Sequence, residues 1–504
     1  MQTTIFGPPG TGKTTTLINI VKKEIQRGTP LDKIAFVSFS RKAADEAKQR
    51  AVQELNVNPD NLTWFRTLHS LAFQYQGMAS KDVMRSSDYR ELGRLVGLDF
   101  STNSYLTMAD GGLFAQGKGG DAYLGMIQIA RVRGWSLEEE FNYTADYRMH
   151  FQQARIVDNA LRAYKKEADK KDFVDMIEDF VEDGEGPSFD VLIVDEAQDL
   201  APLQWRMVRE ILAPNSKRVY YAGDDDQCIY TWMGVNVKDF LRASEEKQIL
   251  TQSYRVPQQV HDIAASVVNR IDIRQDKQWK PASHTGTVVW HRDVRDVDLD
   301  EGQWLVLART NYIANNIARE LREDGYVFYR EGSGWSISPN ILQSIETWLL
   351  LCKGSEISTE KLWQFCDQLR KGFLTRSAKS RLKKMEEDET FTLARLINEF
   401  ELQASEQTNW YDIINVSETE EIYISSARRR NEKILTGTPR IKISTIHKAK
   451  GGEADNVLLI LESSKAASKS KDQDAEKRTF YVGITRAKKE LHLVEAKSEW
   501  GFYI

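Results

Sequence analysis

Cysteine is scarce in this 504-residue chain, which has only Cys228, Cys352 and Cys366. They share no paired Cys/His spacing, which argues against a disulfide framework and a zinc site and fits a reducing compartment. Long apolar runs are also missing. None approaches the roughly 20 residues that a membrane helix needs, and the opening Met1-Gln2-Thr3-Thr4 lacks the basic and apolar regions of a signal peptide. A cytoplasmic protein with no membrane partner is therefore expected. Nor is there an excess of positive charge: Lys and Arg number 69 against 74 Asp and Glu, for a formal net charge of -5. Any binding of nucleic acid must then come from a local groove, because the molecule as a whole has no attractive field. What remains is a composition of globular type, 41% hydrophobic and 28% charged. The length exceeds what one hydrophobic core serves, so several domains are expected.

The first chemistry lies at Thr3 to Phe6, a short β-branched and apolar run that reads as a buried strand. It leads into Gly7-Pro8-Pro9-Gly10-Thr11-Gly12-Lys13-Thr14 and then into the helix-prone stretch Thr15 to Gln26. Strand, glycine loop and helix together suit a triphosphate: glycines let backbone N–H groups approach the phosphates, and the helix N-terminus supplies partial positive charge. Lys13 is placed to reach the β- and γ-phosphates, and the Thr14 hydroxyl to meet Mg²⁺. The bland alternative is a glycine turn that binds nothing.

A second component lies far downstream. Phe189 to Val194 reads as another buried strand and ends at Asp195-Glu196-Ala197-Gln198-Asp199. Two adjacent carboxylates at the C-terminal edge of a strand repel each other unless a cation intervenes. A metal resolves this, with Asp195 binding Mg²⁺ and Glu196 orienting and deprotonating the attacking water. On its own, the same string could be a solvated acidic turn.

These strings are followed in order by GDDDQCIYTWMG (Gly223 to Gly234), QSYR (Gln252 to Arg255), STIHKAKGGE (Ser444 to Glu453) and YVGITRA (Tyr481 to Ala487). FSRKAADEAKQR from Phe39, TLHSLA from Thr67 and DFVDMI from Asp172 lie between the first two. The set resembles the ordered motifs of the UvrD/Rep/PcrA helicases of superfamily 1, from Thr3 to about Glu495. The resemblance implies an α/β fold of two RecA-like, doubly wound parallel-sheet P-loop domains, each with an inserted, mainly helical subdomain. The runs Ile34 to Phe39, Val191 to Val194, Val219 to Ala222, Trp304 to Ala308, Ile441 to Ser444 and Val457 to Ile460 agree, alternating with helical stretches. The first motor domain is expected at 1–74 and 171–255 around an insert at 75–170. The second is expected at 256–335 and 437–504 around a shortened insert at 336–436. Ser463 to Lys471 reads as an exposed low-complexity loop.

For the nucleotide, the resemblance implies that Gln227 senses the γ-phosphate, that Arg255 and Arg486 place guanidinium charge against it, and that Gly451 and Glu453 approach the ribose side. Tyr254 would stack on the base. Arginines from opposite walls suit phosphoryl transfer, because closing the cleft assembles the charge clamp and opening it dismantles it. For DNA, the resemblance places Phe39, Tyr230 and Trp232 along a single-strand channel, with His69 and His447 nearby as polar contacts. Stacking on such rings accepts any base, which suits a translocating motor. Strand-end core packing is the alternative for Phe39.

Departures from the pattern matter too. The family's adenine-reading glutamine segment has no counterpart before Thr3, Met233 stands where arginine is usual, and the second insert is short. Lys371, Arg376, Lys379, Arg381, Lys383 and Lys384 could touch duplex phosphates, but a solvated helix face balanced by Glu386, Glu387 and Asp388 is favoured. The same holds for Arg428, Arg429 and Arg430. The expectation is an ATP-dependent, Mg²⁺-dependent helicase acting on single-stranded DNA and single-strand/duplex junctions, moving 3′ to 5′. A translocase that unwinds little, or a nucleotide-timed binding module, are the alternatives.

Overall fold

Short runs of β-branched and aromatic residues can be buried on both faces only in a sheet covered by helices, and two such sheets form here. The computed structural model describes residues 1–100, 119–144, 149–386, 389–430, 439–470 and 472–504. The first sheet contains β1 (Gln2–Phe6), β2 (Ile34–Ser38), β3 (Phe65–Thr67), β4 (Phe189–Asp195), β5 (Ser216–Gly223) and β6 (Glu246–Ile249). Their order is β3-β2-β4-β5-β1-β6, and every pairing is parallel. All of β2 is buried, as a central strand of a doubly covered sheet should be.

The second sheet collects β7 (Thr287–His291), β8 (Trp304–Ala308), β9 (Tyr329–Arg330), β10 (Gly334–Trp335), β13 (Ile441–Thr445), β14 (Ala454–Ile460) and β15 (Ala487–Val494). The order is β10-β9-β13-β8-β14-β15-β7, parallel throughout except for the β9–β10 pair. The remaining two strands, β11 (Ile357–Ser358) and β12 (Thr390–Phe391), form a small antiparallel pair of their own. The fold is thus mixed α/β with two parallel sheets, as the sequence implies. The strands β3, β6, β7 and β15 were not foreseen.

Helices Ser86–Val96, Gly120–Arg133, Leu137–Thr144 and Phe151–Ala168 lie in the first insert. Charge ties them to the helix Phe173–Asp183 and its cap: Arg131 bonds Asp172 at 2.9 Å, and Lys165 reaches Asp172 at 2.9 Å and Asp175 at 2.7 Å. A separate hydrophobic core runs from Val327 to Ala427, mostly within the expected second insert, and in it the rings of Trp348 and Phe365 stack 5.9 Å apart. The expected domain boundaries stand as a proposal, and the one between 436 and 437 lies outside the described residues.

Two surface stretches carry local structure. Ser463 to Lys471 is not all loop, because Ser464 caps a one-turn helix, Lys465–Ser468, by accepting from the Ala467 N–H at 3.2 Å; Lys471 lies outside the described residues. In the basic cluster, Lys379 donates to the Cys366 carbonyl at 2.8 Å, Lys383 pairs with Asp367 at 3.4 Å and Arg381 lies over the Phe400 ring. Lys371, Arg376, Arg381, Lys383 and Lys384 nevertheless stay exposed, as a solvated face would have them; Glu387 and Asp388 lie outside the described residues. Arg430 likewise pairs with Asp300 and covers the Tyr326 ring.

Candidate functional site

β1, β5 and β4 are adjacent, so the loops leaving their C-terminal ends converge, as ligand-binding loops do in open parallel sheets. The loop after β1 turns back at once, with the Gly7 N–H donating to the Gly223 carbonyl at 2.8 Å. Gly10 and Gly12 have φ of 71° and 74°, a left-handed backbone that strains other residues, and Gly12 caps α1 (Lys13–Gln26). A Cβ on Gly10 would also lie 2.3 Å from that of Arg255, so glycine is what lets the QSYR segment close over the loop. That segment grips it directly: Ser253 Oγ donates to the Pro9 carbonyl at 2.8 Å and the Tyr254 N–H to the Gly10 carbonyl at 2.8 Å. Thr11 Oγ1 bonds the Pro8 carbonyl at 2.7 Å. Tyr254 itself stands out from the surface, 76% exposed, with its ring free to meet a flat partner.

Lys13 Nζ lies 2.5 Å from Glu196 Oε1 and 3.6 Å from Asp195 Oδ1. Burial alone would lower its pKa, but Glu196, Asp195 and Asp224 outweigh it and raise the value above that of a free lysine. The two carboxylates diverge. Burial and the neighbouring Glu196 push Asp195 upward, whereas Lys13 and Lys450 overcome burial at Glu196 and hold it low. Glu196 sits in the left-handed region at φ 53°, an unusual backbone for a residue with a Cβ, and its N–H donates to Asp195 Oδ1 at 2.9 Å. Gln198 Nε2 holds its other oxygen at 2.6 Å. The strained turn and this clamp aim the carboxylate into the loop convergence.

The second sheet supplies the opposite wall from the N-terminal ends of β14 and β15. Arg486, fully buried, donates to Gln227 Oε1 at 3.0 Å and to the Gly452 carbonyl at 3.2 Å. Burial and the nearby Arg255 destabilise its charge and push its pKa down to about 9. Arg255 pairs across the cleft with Glu453. Gly451 is exposed, with φ 78°. A further tie is Lys450, which bonds Asp199 at 2.6 Å and the Gln227 carbonyl at 2.5 Å. Lys450, Asp199, Gln198 and Ser253 carry no role in the sequence reading although each lies inside a quoted motif; the signal was a polar residue in a motif otherwise assigned to the ligand.

The residues expected to face DNA are arranged differently. Phe39 and Tyr230 stack on each other with centroids 5.4 Å apart, and each is only 7% exposed. Tyr230 Oη donates to the His447 carbonyl at 3.3 Å, and His447, buried, places Nε2 3.2 Å from the Ile229 carbonyl. Burial, with Arg309 and Lys450 adding to it, lowers the His447 pKa to about 3, so its imidazole is neutral. Trp232 is half-buried, and its carbonyl accepts from Arg133 of the first insert at 2.6 Å. Met233 is buried in the core beside it. His69 packs edge-on against Phe173, 6.1 Å away, and burial lowers its pKa to about 4. It lines a cavity of about 680 Å³ whose walls also carry Arg41, Lys48, Arg66 and Arg85.

Comparison with known proteins decides the family. The UvrD/REP helicase N-terminal domain matches residues 1–248, and the UvrD-like helicase C-terminal domain matches 351–498. The chain belongs to the UvrD/REP helicase family. Within this helicase family it is similar to the ATP-dependent DNA helicase PcrA of Leuconostoc citreum, 26% identical over 65% of this chain and 44% of that protein. The probable DNA helicase II homolog of Mycoplasma pneumoniae is 22% identical over 97% of this chain and 81% of its own length. PcrA of Bacillus subtilis is 22% identical over 92% and 76%. Against the Leuconostoc protein, then, the match spans less than half of the relative's length. Among the described residues, no helix of this UvrD-like chain is long and apolar enough to cross a membrane.

Proposed function

We propose that the chain hydrolyses ATP in the cleft between its two sheets and uses the resulting motion to travel along single-stranded DNA, 3′ to 5′, and unwind duplex at junctions. The observation that carries this is that each cation expected to meet phosphate already holds a polar partner in the cleft. Lys13 rests on Glu196, Arg255 on Glu453 and Arg486 on Gln227. The present partners are the groups expected to activate water, approach the ribose and sense the γ-phosphate, so an entering triphosphate exchanges those contacts for its own charge. Lys13 then leaves Glu196, whose freed carboxylate orients and deprotonates water. Arg255 and Arg486, from opposite walls, close on the γ-phosphoryl group. Tyr254 offers the only contact proposed for the base, a stacking face.

A magnesium ion fits the donor set: Asp195 is a buried hard-oxygen ligand whose neighbour Glu196 is paired with Lys13, and Thr14 offers a hydroxyl from the first turn of α1. When bound, it neutralises phosphate charge. For the strand, the proposed path runs over Trp232 and the cation-rimmed cavity at His69. Phe39, Tyr230 and His447 would join it only if the stack opens. Unwinding of forked duplexes with either a 3′ or a 5′ tail tests the reading. ATP-dependent strand separation from the 3′ tail is expected, and hydrolysis without separation on either substrate would favour a translocase, a reading to which the buried Met233 lends support.

A further inference from the structure

Asp224, Asp225 and Asp226 are consecutive, fully buried and close enough that one oxygen of each lies within 4.8 Å of the others. Three such carboxylates cannot all ionise unless a cation sits among them. Lys277 provides it. Its Nζ lies 2.9 Å from Asp224 Oδ1 and 2.8 Å from Asp226 Oδ2 and bonds Asp225 as well, so each of its three donors has one carboxylate. Arg274 adds a two-pronged contact to Asp226 at 3.0 and 2.8 Å. Lys277 comes from none of the motifs. It lies on the irregular segment after the helix Gln258–Val268, and that segment also bonds the QSYR strand, through Lys280 N–H to the Thr251 carbonyl at 2.7 Å and Ser253 N–H to the Lys280 carbonyl at 2.8 Å.

The second oxygen of Asp224 faces the cleft and accepts from Gln227 Nε2 at 2.8 Å, while Gln227 Oε1 accepts from Arg486 at 3.0 Å. A carboxylate only accepts and a guanidinium only donates, so an amide between them has one orientation. That orientation holds while Lys277 keeps Asp224 fixed with an accepting oxygen toward Gln227. Burial opposes the charge of Lys277, but Asp224, Asp226 and Asp225 raise its pKa, so the ammonium persists.

We infer that Lys277 is a positioning residue for hydrolysis: by holding Asp224 as an immobile acceptor it sets the amide orientation of Gln227, and through Gln227 the place of Arg486. This inference rests on the proposed ATPase, and the experiment separates the two. Lys277→Met combined with Asp225→Asn removes one buried charge of each sign, which limits the folding penalty. With saturating single-stranded DNA, kcat for ATP should fall about 30-fold, as expected for loss of a hydrogen bond to a charged group in the transition state. KM should stay within about threefold. Adding Gln227→Ala should produce no loss beyond that of Gln227→Ala alone, because the two act as one unit. Parent-like kcat in the folded double variant, or losses that multiply with Gln227→Ala, overturns the inference. Should the double variant not fold, Asp224→Asn, which leaves Lys277 two carboxylates, must show the same fall in kcat at steady KM, and parent-like kcat there overturns it equally. Absence of ATPase in the unaltered protein would instead sink the functional proposal.

Discussion

The residues proposed to meet nucleotide and those proposed to meet DNA are built in opposite ways. On the nucleotide side, charged groups wait in pairs that a ligand can exchange: Lys13 with Glu196, Arg255 with Glu453, Arg486 with Gln227. Burial raises the electrostatic stakes at Lys13 and Arg486, whose contacts are costly to break without replacement, while the Arg255–Glu453 pair is more exposed. On the DNA side the aromatic rings have closed on one another, and Phe39, Tyr230 and His447 satisfy themselves. On the proposed function, the difference teaches that the nucleotide site is preformed, whereas a strand would have to open the aromatic stack to use it.

The largest expected effect tests the waiting half. Glu196→Gln should lower the DNA-stimulated kcat by about a thousandfold, the scale of a lost general base, while single-strand affinity in a filter or anisotropy assay stays near the parent value. Loss of DNA binding with intact hydrolysis would reverse the assignment of the two sides. Phe39→Ala then probes the closed half. As a buried stacking residue it should cost about 3 kcal/mol of stability in denaturant unfolding. A variant as stable as the parent but weak in DNA binding would show that the ring is an open platform.

The closed half also carries a pH signature. The folded pKa of His447 lies near 3, well below that of an unfolded histidine, so the unfolded chain binds the extra proton first. Its contribution is therefore intact at neutral pH and is lost as pH falls below about 6.5. Between pH 7 and 5 the parent should lose about 2 kcal/mol more than His447→Gln. Equal losses would mean that the imidazole is solvated. The smallest effect expected is at Tyr254, where alanine should raise the ATP KM about tenfold through lost stacking and leave kcat nearly unchanged.

Much of the nucleotide side was legible in sequence because its chemistry demands particular residues at particular spacings. Gly10 and Gly12 read as a phosphate loop because only glycine serves there, and Asp195-Glu196 read as a metal and water pair because adjacent acids need a reason. The central strands were readable as well, since burial on both faces leaves continuous apolar runs such as Ile34 to Val37. The edge strand β6, Glu-Lys-Gln-Ile, carries three polar residues because one side faces water, and nothing in it looks like a strand. β15 was hidden for another reason: its alternating Lys-Lys-Glu-Leu-His-Leu begins directly where the YVGITRA motif ends. Lys277 was beyond reach, because its importance comes from three aspartates some fifty residues away that only the fold brings to it.

The central claim is that nucleotide and strand act on one cleft, and steady-state ATP hydrolysis with and without a long single-stranded oligonucleotide tests it most directly. Opening of the aromatic stack by the strand should reset the wall that carries Lys450 and Arg486, so stimulation of at least tenfold is expected. A rate indifferent to DNA, at concentrations where the oligonucleotide is bound, would contradict the account.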